Sequence, residues 1–345
     1  MDMDLAVRAA LAAERLPTGG VSREVLLRSG STEAWLNSAE GGGLPMTGML
    51  NTSARSSAYA AATRAVGWDD PHYPGGLRHL DCPPPALFVR GSADALPPAR
   101  RCVAVIGARR CTELGRALAR DLSAALAREG LVVVSGLALG IDAAAHQGAL
   151  DAGGSTLAVL ASSVDFPTPR RNLDLADEIL EQGGWLASER PPLASVRAWD
   201  FPRRNRLVAA LVSVVVVVEA GLRSGTLSTV GHALDLGVEV AAVPGPATSP
   251  ASAGAHELLR RGACLVTCAD DVLDLLGERR KHVAGASWHG DEQRLLSGLP
   301  GASGSVERWI DAAALPREKA RQALNRLLVG GALRRLPGGR IARVL

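Results

Sequence analysis

Aromatic side chains are scarce in this 345-residue chain, at 3% of the sequence. Lysine is scarcer still: the 38 basic residues include only Lys281 and Lys319. A bias toward arginine is no nucleic-acid signal by itself, and a net charge of +3 is too small for a protein that coats DNA. No apolar run reaches the ~18–20 residues of a membrane span. The longest, Leu207–Val218, contains Ser213 and reads as a helix end running into a buried strand. The acidic start, MDMDLAVRAA, lacks the basic-then-apolar layout of a signal peptide. Cys82, Cys102, Cys111, Cys264 and Cys268 are odd in number, scattered and without a CxxC pair. That argues against a disulfide framework and for a reducing cytoplasm.

Several enzyme patterns are also missing. Neither lysine follows a glycine loop, which excludes a P-loop ATPase. Gly221-Leu222-Arg223-Ser224-Gly225 has the wrong spacing for a nucleophile elbow. No HExxH or spaced Cys/His set occurs, so neither metal nor cofactor is expected; Cys264 and Cys268 near His256 read as ordinary buried thiols.

What is present changes along the chain. At about 150 residues per domain the length predicts two or three domains. Residues 1–70 carry 6 basic and 8 acidic side chains, residues 71–285 carry 22 of each, and residues 286–345 carry 10 against 5. The positive excess therefore lies in the tail. Leu5–Leu16 and Val25–Trp35 are helix-compatible, and Gly41-Gly42-Gly43 opens a Gly/Ser/Ala-rich stretch that reads as linker or poorly packed helix. Short β-branched runs then alternate with helical spacers: Cys102–Ile106, Leu131–Val134, Thr156–Ala161, Val214–Val218 and Val238–Val243. This predicts an α/β, doubly wound, mainly parallel sheet covered on both faces, with the valines of 214–218 at its centre. Past a break near Gly285–Gly290, Asp291–Ser297, Val306–Ala314 and Arg317–Val329 read as helices. Ala332–Leu336 and Arg340–Val344 around Pro337-Gly338-Gly339 read as a hairpin, completing the layout of a winged helix. The expected division is a small helical module and linker over 1–66, the α/β domain over 67–284 and the winged helix over 285–345.

Three segments carry chemistry. Val105-Ile106-Gly107-Ala108-Arg109 leaves a strand and enters a helix, where ligands bind in parallel sheets. Gly107 permits close approach of a phosphate, the helix start offers unpaired N–H groups and Arg109 is a bidentate grip; alone, the simpler reading is a glycine turn with a surface arginine. Ser135-Gly136-Leu137-Ala138-Leu139-Gly140-Ile141-Asp142 repeats the arrangement, with Asp142 equally a helix N-terminal charge and His146 a satisfied, partly buried histidine. Phe201-Pro202-Arg203-Arg204-Asn205-Arg206, followed by the valine strand, Glu219 and Ser224-Gly225-Thr226, offers a stacking face beside phosphate-binding arginines. An exposed basic turn is the alternative.

Together and in order, these segments resemble the DNA-processing protein A (DprA/Smf) family, from Trp68 to about Leu276. The resemblance also rests on Tyr73-Pro74, Pro83–Gly91, Ala145–Leu150, Ser188-Glu189, Val243-Pro244-Gly245 and Leu258–Ala263. It departs at Ala108, Ala161-Ser162-Ser163, Phe166-Pro167 and His256, where the family has Ser or Thr, Gly-x-Gly, Tyr-Pro and Asn. The resemblance implies an extended Rossmann-like domain and a cytoplasmic, non-enzymatic protein. Its partners would be single-stranded DNA, which it protects, and the RecA recombinase, which it loads, with a link to natural transformation in competent hosts. It implies a homodimer, for which Leu258, Leu259, Val272 and Leu275 are candidates, and a winged helix touching duplex DNA or protein. The expected DNA- and phosphate-binding residues are Gly107, Arg109, Ser135, Gly136, Phe201, Arg203, Arg204, Asn205, Arg206, Ser224 and Gly225. Glu219 is expected to cap the central strand and hold the Arg203–Arg206 segment. The alternatives are a Rossmann-like nucleotide hydrolase using Glu219, and a winged-helix regulator with a ligand-sensing α/β domain.

Overall fold

Four consecutive valines form a strand only where both faces are buried, and that is how the sheet is built. The computed structural model describes residues 2–14, 16, 21–41, 63–92, 95–192, 194–277, 290–297, 303–329, 333–336 and 340–343. The linker expected over 42–62, the break at 285–289 and the turn Pro337-Gly338-Gly339 lie outside the described residues. The chain divides into two compact units, Met1–Leu276 and Gly277–Leu345.

The first unit begins with helices α1 (Met3–Glu14), α2 (Arg23–Ser29) and α3 (Thr32–Gly41). Strands β1 (Thr63–Gly67), β2 (Ala86–Gly91) and β3 (Cys102–Ile106) follow, then α4 (Glu113–Arg128), β4 (Val132–Ser135), α5 (Ile141–Asp151) and β5 (Thr156–Val159). The remainder is α6 (Leu173–Glu181), β6 (Trp185–Ser188), α7 (Asp200–Ala210), β7 (Val214–Val217), α8 (Thr226–Asp235), β8 (Glu239–Ala242), α9 (Ala253–Arg260), β9 (Cys264–Leu265) and α10 (Ala269–Leu275). Nine strands form one sheet in the order β1-β2-β6-β5-β4-β3-β7-β8-β9. From β6 to β9 neighbouring strands are parallel, whereas β1 and β2 extend the sheet antiparallel.

Strand alternation divides the core. Cys102, Ala104, Ile106, Val215 and Val217 face one layer with residues of α7, α8 and α9. Val103, Val105, Val214 and Val216 face the other, against Leu122, Leu126, Ile141 and Val272. Burying each such side chain contributes about 1.5–3 kcal/mol, which is why the centre of the sheet needs no polar positions. Ala9, Ala12, Leu26 and Leu36 of the first three helices lie in the same core as Trp68 and Leu77. Ala6, Val7 and Ala10 pack with Ala65, Ala86 and Phe88 of β1 and β2.

In the second unit α11 (Asp291–Ser297), β10 (Ser303–Ser305), α12 (Val306–Ala312), α13 (Arg317–Val329), β11 (Leu333–Leu336) and β12 (Arg340–Arg343) follow in order. The strands form an antiparallel sheet ordered β10-β12-β11. Leu295, Trp309, Leu324, Leu327 and Ile341 make its own apolar core. Among the described residues no helix is long and apolar enough to cross a membrane.

Candidate functional site

The chain runs from β3 outward through β4, β5 and β6, then returns to β7 on the other side of β3. At such a switch point the connections diverge and leave a crevice at the carboxyl ends of the strands. A pocket of about 420 Å³ lies there. It is lined by Gly107, Ala108, Arg109 and Arg110 after β3, Gly136 and Ala138 after β4, Phe201, Pro202, Arg204 and Asn205 of α7, and Ser224, Gly225 and Thr226 at the start of α8. Eight expected residues thus meet from four segments: Gly107, Arg109, Gly136, Phe201, Arg204, Asn205, Ser224 and Gly225.

The other three point elsewhere. Ser135 is fully buried, and its Oγ donates to the Val105 carbonyl at 2.8 Å. Arg203 Nε lies 3.1 Å from Glu189 Oε1, and Arg206 Nη2 donates to Glu189 Oε2. The reason is helical phase. The expected basic turn is the start of α7, so Phe201, Arg204, Asn205 and Val208 share the pocket face while Arg203 and Arg206 share another. Glu189, not Glu219, holds that second face.

Arg204 lines the pocket but is 5% exposed and faces inward. Its Nη1 donates to the Gly136 carbonyl at 2.7 Å and to the Val159 carbonyl. Burial pushes its pKa down to about 10, so it stays charged at neutral pH. Burial also raises the pKa of Asp142, whose Oδ2 accepts from Gly136 N at 3.1 Å. Asn172 Nδ2 donates to the carbonyls of Leu137 and Ala138, at 2.9 and 3.2 Å. Three buried polar side chains therefore pin Gly136–Ala138, where Leu137 sits at φ 56°, a strained value that such over-determination sustains. A Cβ on Gly136 would collide with the Arg204 guanidinium.

The start of α4 is occupied by the protein's own carboxylate. Glu219 accepts from Thr112 N at 2.9 Å and from Thr112 Oγ1 at 2.5 Å, and Thr112 Oγ1 accepts from Gly115 N at 3.0 Å. The unpaired N–H groups expected there are thus partly taken, and Glu219 has both oxygens engaged. In the neighbouring loop Ala108 N donates to the Glu219 carbonyl at 2.8 Å, and Ile141 N to the Ala108 carbonyl at 3.2 Å. Asn205 Nδ2 reaches the Gly225 carbonyl at 3.4 Å, and Ser224 Oγ donates to Thr226 Oγ1 at 2.9 Å. His256, in place of the family's asparagine, contacts the Gly245 carbonyl through Nε2 at 3.0 Å.

What remains available is Arg109 and Arg110. Both are exposed, and among the described residues neither guanidinium has an ion-pair or hydrogen-bond partner. Arg109 Cζ lies 5.1 Å from the centroid of the Phe201 ring. Two uncompensated planar cations at a pocket rim suit a phosphodiester or another oxyanion. Arg110, Asn172 and Glu189 escaped the sequence reading. Ser188-Glu189 was visible as a motif, yet nothing in its composition tied it to α7.

Residues 64–277 match the family model for DNA recombination-mediator protein A. A DprA homologue of Mycobacterium tuberculosis is 44% identical over 264 residues, covering 75% of this chain and 64% of that protein. Protein Smf of Escherichia coli is 43% identical over 208 residues, covering 60% of this chain and 55% of its own length. The chain thus matches less than two thirds of either relative. The X-ray structure of DNA processing protein A from Streptococcus pneumoniae superposes with a TM-score of 0.59 at 30% identity, over 79% of this chain and 92% of that one. DNA processing protein A from Helicobacter pylori, known for its single-stranded-DNA binding mode, gives 0.56 at 29% identity, over 63% and 96%. The chain belongs to the DprA/Smf family of DNA recombination-mediator proteins.

Proposed function

We propose that the switch-point pocket binds single-stranded DNA, and that the protein is a non-enzymatic mediator that protects exposed or incoming strands and helps load RecA. The observation that carries this reading is the uncompensated pair Arg109 and Arg110 at the rim of a pocket whose inner charges are committed to the fold. A flexible strand can place its phosphates on such a rim, whereas a duplex is stiff and wide. The Helicobacter pylori relative, which binds single-stranded DNA, supports the same ligand. The hydrolase alternative requires a carboxylate free for acid–base work, and Glu219 is held by Thr112.

In this reading the protein acts in the cytoplasm, and in natural transformation where the host is competent. The second unit is a winged helix adding a contact to duplex DNA or protein. A homodimer would use the apolar groove of about 680 Å³ between α8 and α9, where Leu222 and Leu234 are each 64% exposed. Leu258 lines that groove, while Val272 is buried in the core. The test is a titration of labelled oligo(dT) and matching duplex at several salt concentrations, with nucleoside monophosphates assayed for turnover. Preferential oligo(dT) binding without turnover supports the proposal; release of free base that Glu219→Gln abolishes overturns it.

A further inference from the structure

Phe201 invites one reading, a stacking platform for a DNA base. Its surroundings favour another. The guanidinium of Arg109 already lies over the ring, 5.1 Å from the centroid, within the roughly 6 Å reach of a cation–π contact. The loop carrying Arg109 is fixed at Ala108 by backbone hydrogen bonds on both sides, to the Glu219 carbonyl and from Ile141 N. Beyond that backbone, the long side chain has no hydrogen-bond or ion-pair partner among the described residues. The aromatic face is what restrains it.

The chemistry of guanidinium suits this arrangement. Its π face can rest on a ring while its N–H donors, which lie in its own plane, stay directed at a ligand. A phosphate can therefore take the fork without displacing the ring, whereas a base could stack on that face only by expelling the guanidinium. We propose that Phe201 is a positioning residue that holds Arg109 for a DNA phosphate and is not a base platform. This rests on the single-strand reading above and goes further, since it assigns the pocket's aromatic to backbone recognition that ignores base identity.

The test compares labelled oligo(dT) with an abasic oligonucleotide of equal length, titrated against the full chain at several salt concentrations. Phe201→Leu should weaken both ligands alike, by about two- to fivefold. It should also flatten the dependence of log K on log salt by up to about 0.7, as loss of one single-strand phosphate contact does. Phe201→Tyr should restore both, and in an Arg109→Ala background Phe201→Leu should have no further effect. Pentafluorophenylalanine at position 201 keeps the apolar shape but reverses the ring quadrupole, so it should behave like leucine even if the leucine variant folds poorly. A loss confined to oligo(dT), with an unchanged salt slope and full affinity for the fluorinated protein, would overturn the proposal in favour of base stacking. Wild-type protein that binds neither oligonucleotide would instead remove the single-strand reading itself.

Discussion

Arg204 of α7 donates from Nη1 to the carbonyl of Gly136, 2.7 Å away and 68 positions earlier in the chain. An arginine in a basic motif at a pocket is thereby a strut that shapes the loop opposite. Arg109, on the facing loop, is exposed and without an acidic partner. The two arginines should respond oppositely to truncation.

Arg204→Ala leaves the Gly136 and Val159 carbonyls without their donor and Asp142 without its cation. Loss of about 3–5 kcal/mol is expected, as for other broken buried ion pairs. Arg109→Ala should change stability by less than about 0.5 kcal/mol. Denaturant unfolding followed by circular dichroism measures both, and an Arg204→Ala protein as stable as wild type would contradict the strut.

Glu189 receives two arginines and is 8% exposed. Glu189→Gln leaves Arg203 and Arg206 without a counter-charge. Their partial exposure reduces the cost below that of a fully buried pair, to about 2–4 kcal/mol. An unchanged midpoint in the same unfolding experiment would show that the ion-pair cluster contributes nothing to holding α7.

The parts legible in sequence are those whose own residues carry the signal. Residues 102–106 and 214–217 are apolar on both faces, so their burial shows without a partner, and Gly107 and Gly136 mark the ends of neighbouring strands. Strand β1 carries Thr, Arg and Gly among its five residues, and becomes a strand through its antiparallel pairing with β2. The alanines of α1 show an apolar face but not what it covers, and they cover β1 and β2. In the site, the arginines were legible as a cluster while their division was not. That division needs the helical phase of α7 and the position of Glu189 across the fold.

Gly115→Ala should reverse the usual gain from replacing a helical glycine, about 0.8–1 kcal/mol. A Cβ there would stand 2.5 Å from Glu219 Oε1, inside the contact that Thr112 makes with the same carboxylate. A loss of about 1–3 kcal/mol is expected instead. Increased stability by thermal unfolding would mean that Glu219 can move away at no cost.

His146 is fully buried, and burial, reinforced by the charge of Arg204, lowers its pKa from 6.5 to about 3. Its Nδ1 contacts Thr156 Oγ1 at 2.7 Å, and that hydroxyl donates to the Val133 carbonyl, so Nδ1 carries the proton and Nε2 is left without a partner. Between pH 6.5 and 3 the unfolded histidine binds a proton that the folded one does not. Its contribution is therefore complete above pH 6.5 and declines as pH falls, by up to about 1.4 kcal/mol per unit. Asp142, raised by burial, acts in the opposite sense above its ordinary range. The difference between wild type and His146→Asn isolates the histidine, and parallel stability–pH curves for the two would refute its buried neutral state.

The central claim is that Arg109 meets DNA phosphate while Arg204 supports the pocket from within. Equilibrium titration of oligo(dT) with wild-type protein and Arg109→Ala, across a range of salt concentrations, tests it most directly. The expected result is weaker binding by the variant at unchanged stability, with a salt slope shallower by about 0.7, the value for one single-strand phosphate contact. An Arg109→Ala protein with wild-type affinity and slope at every salt concentration would contradict it.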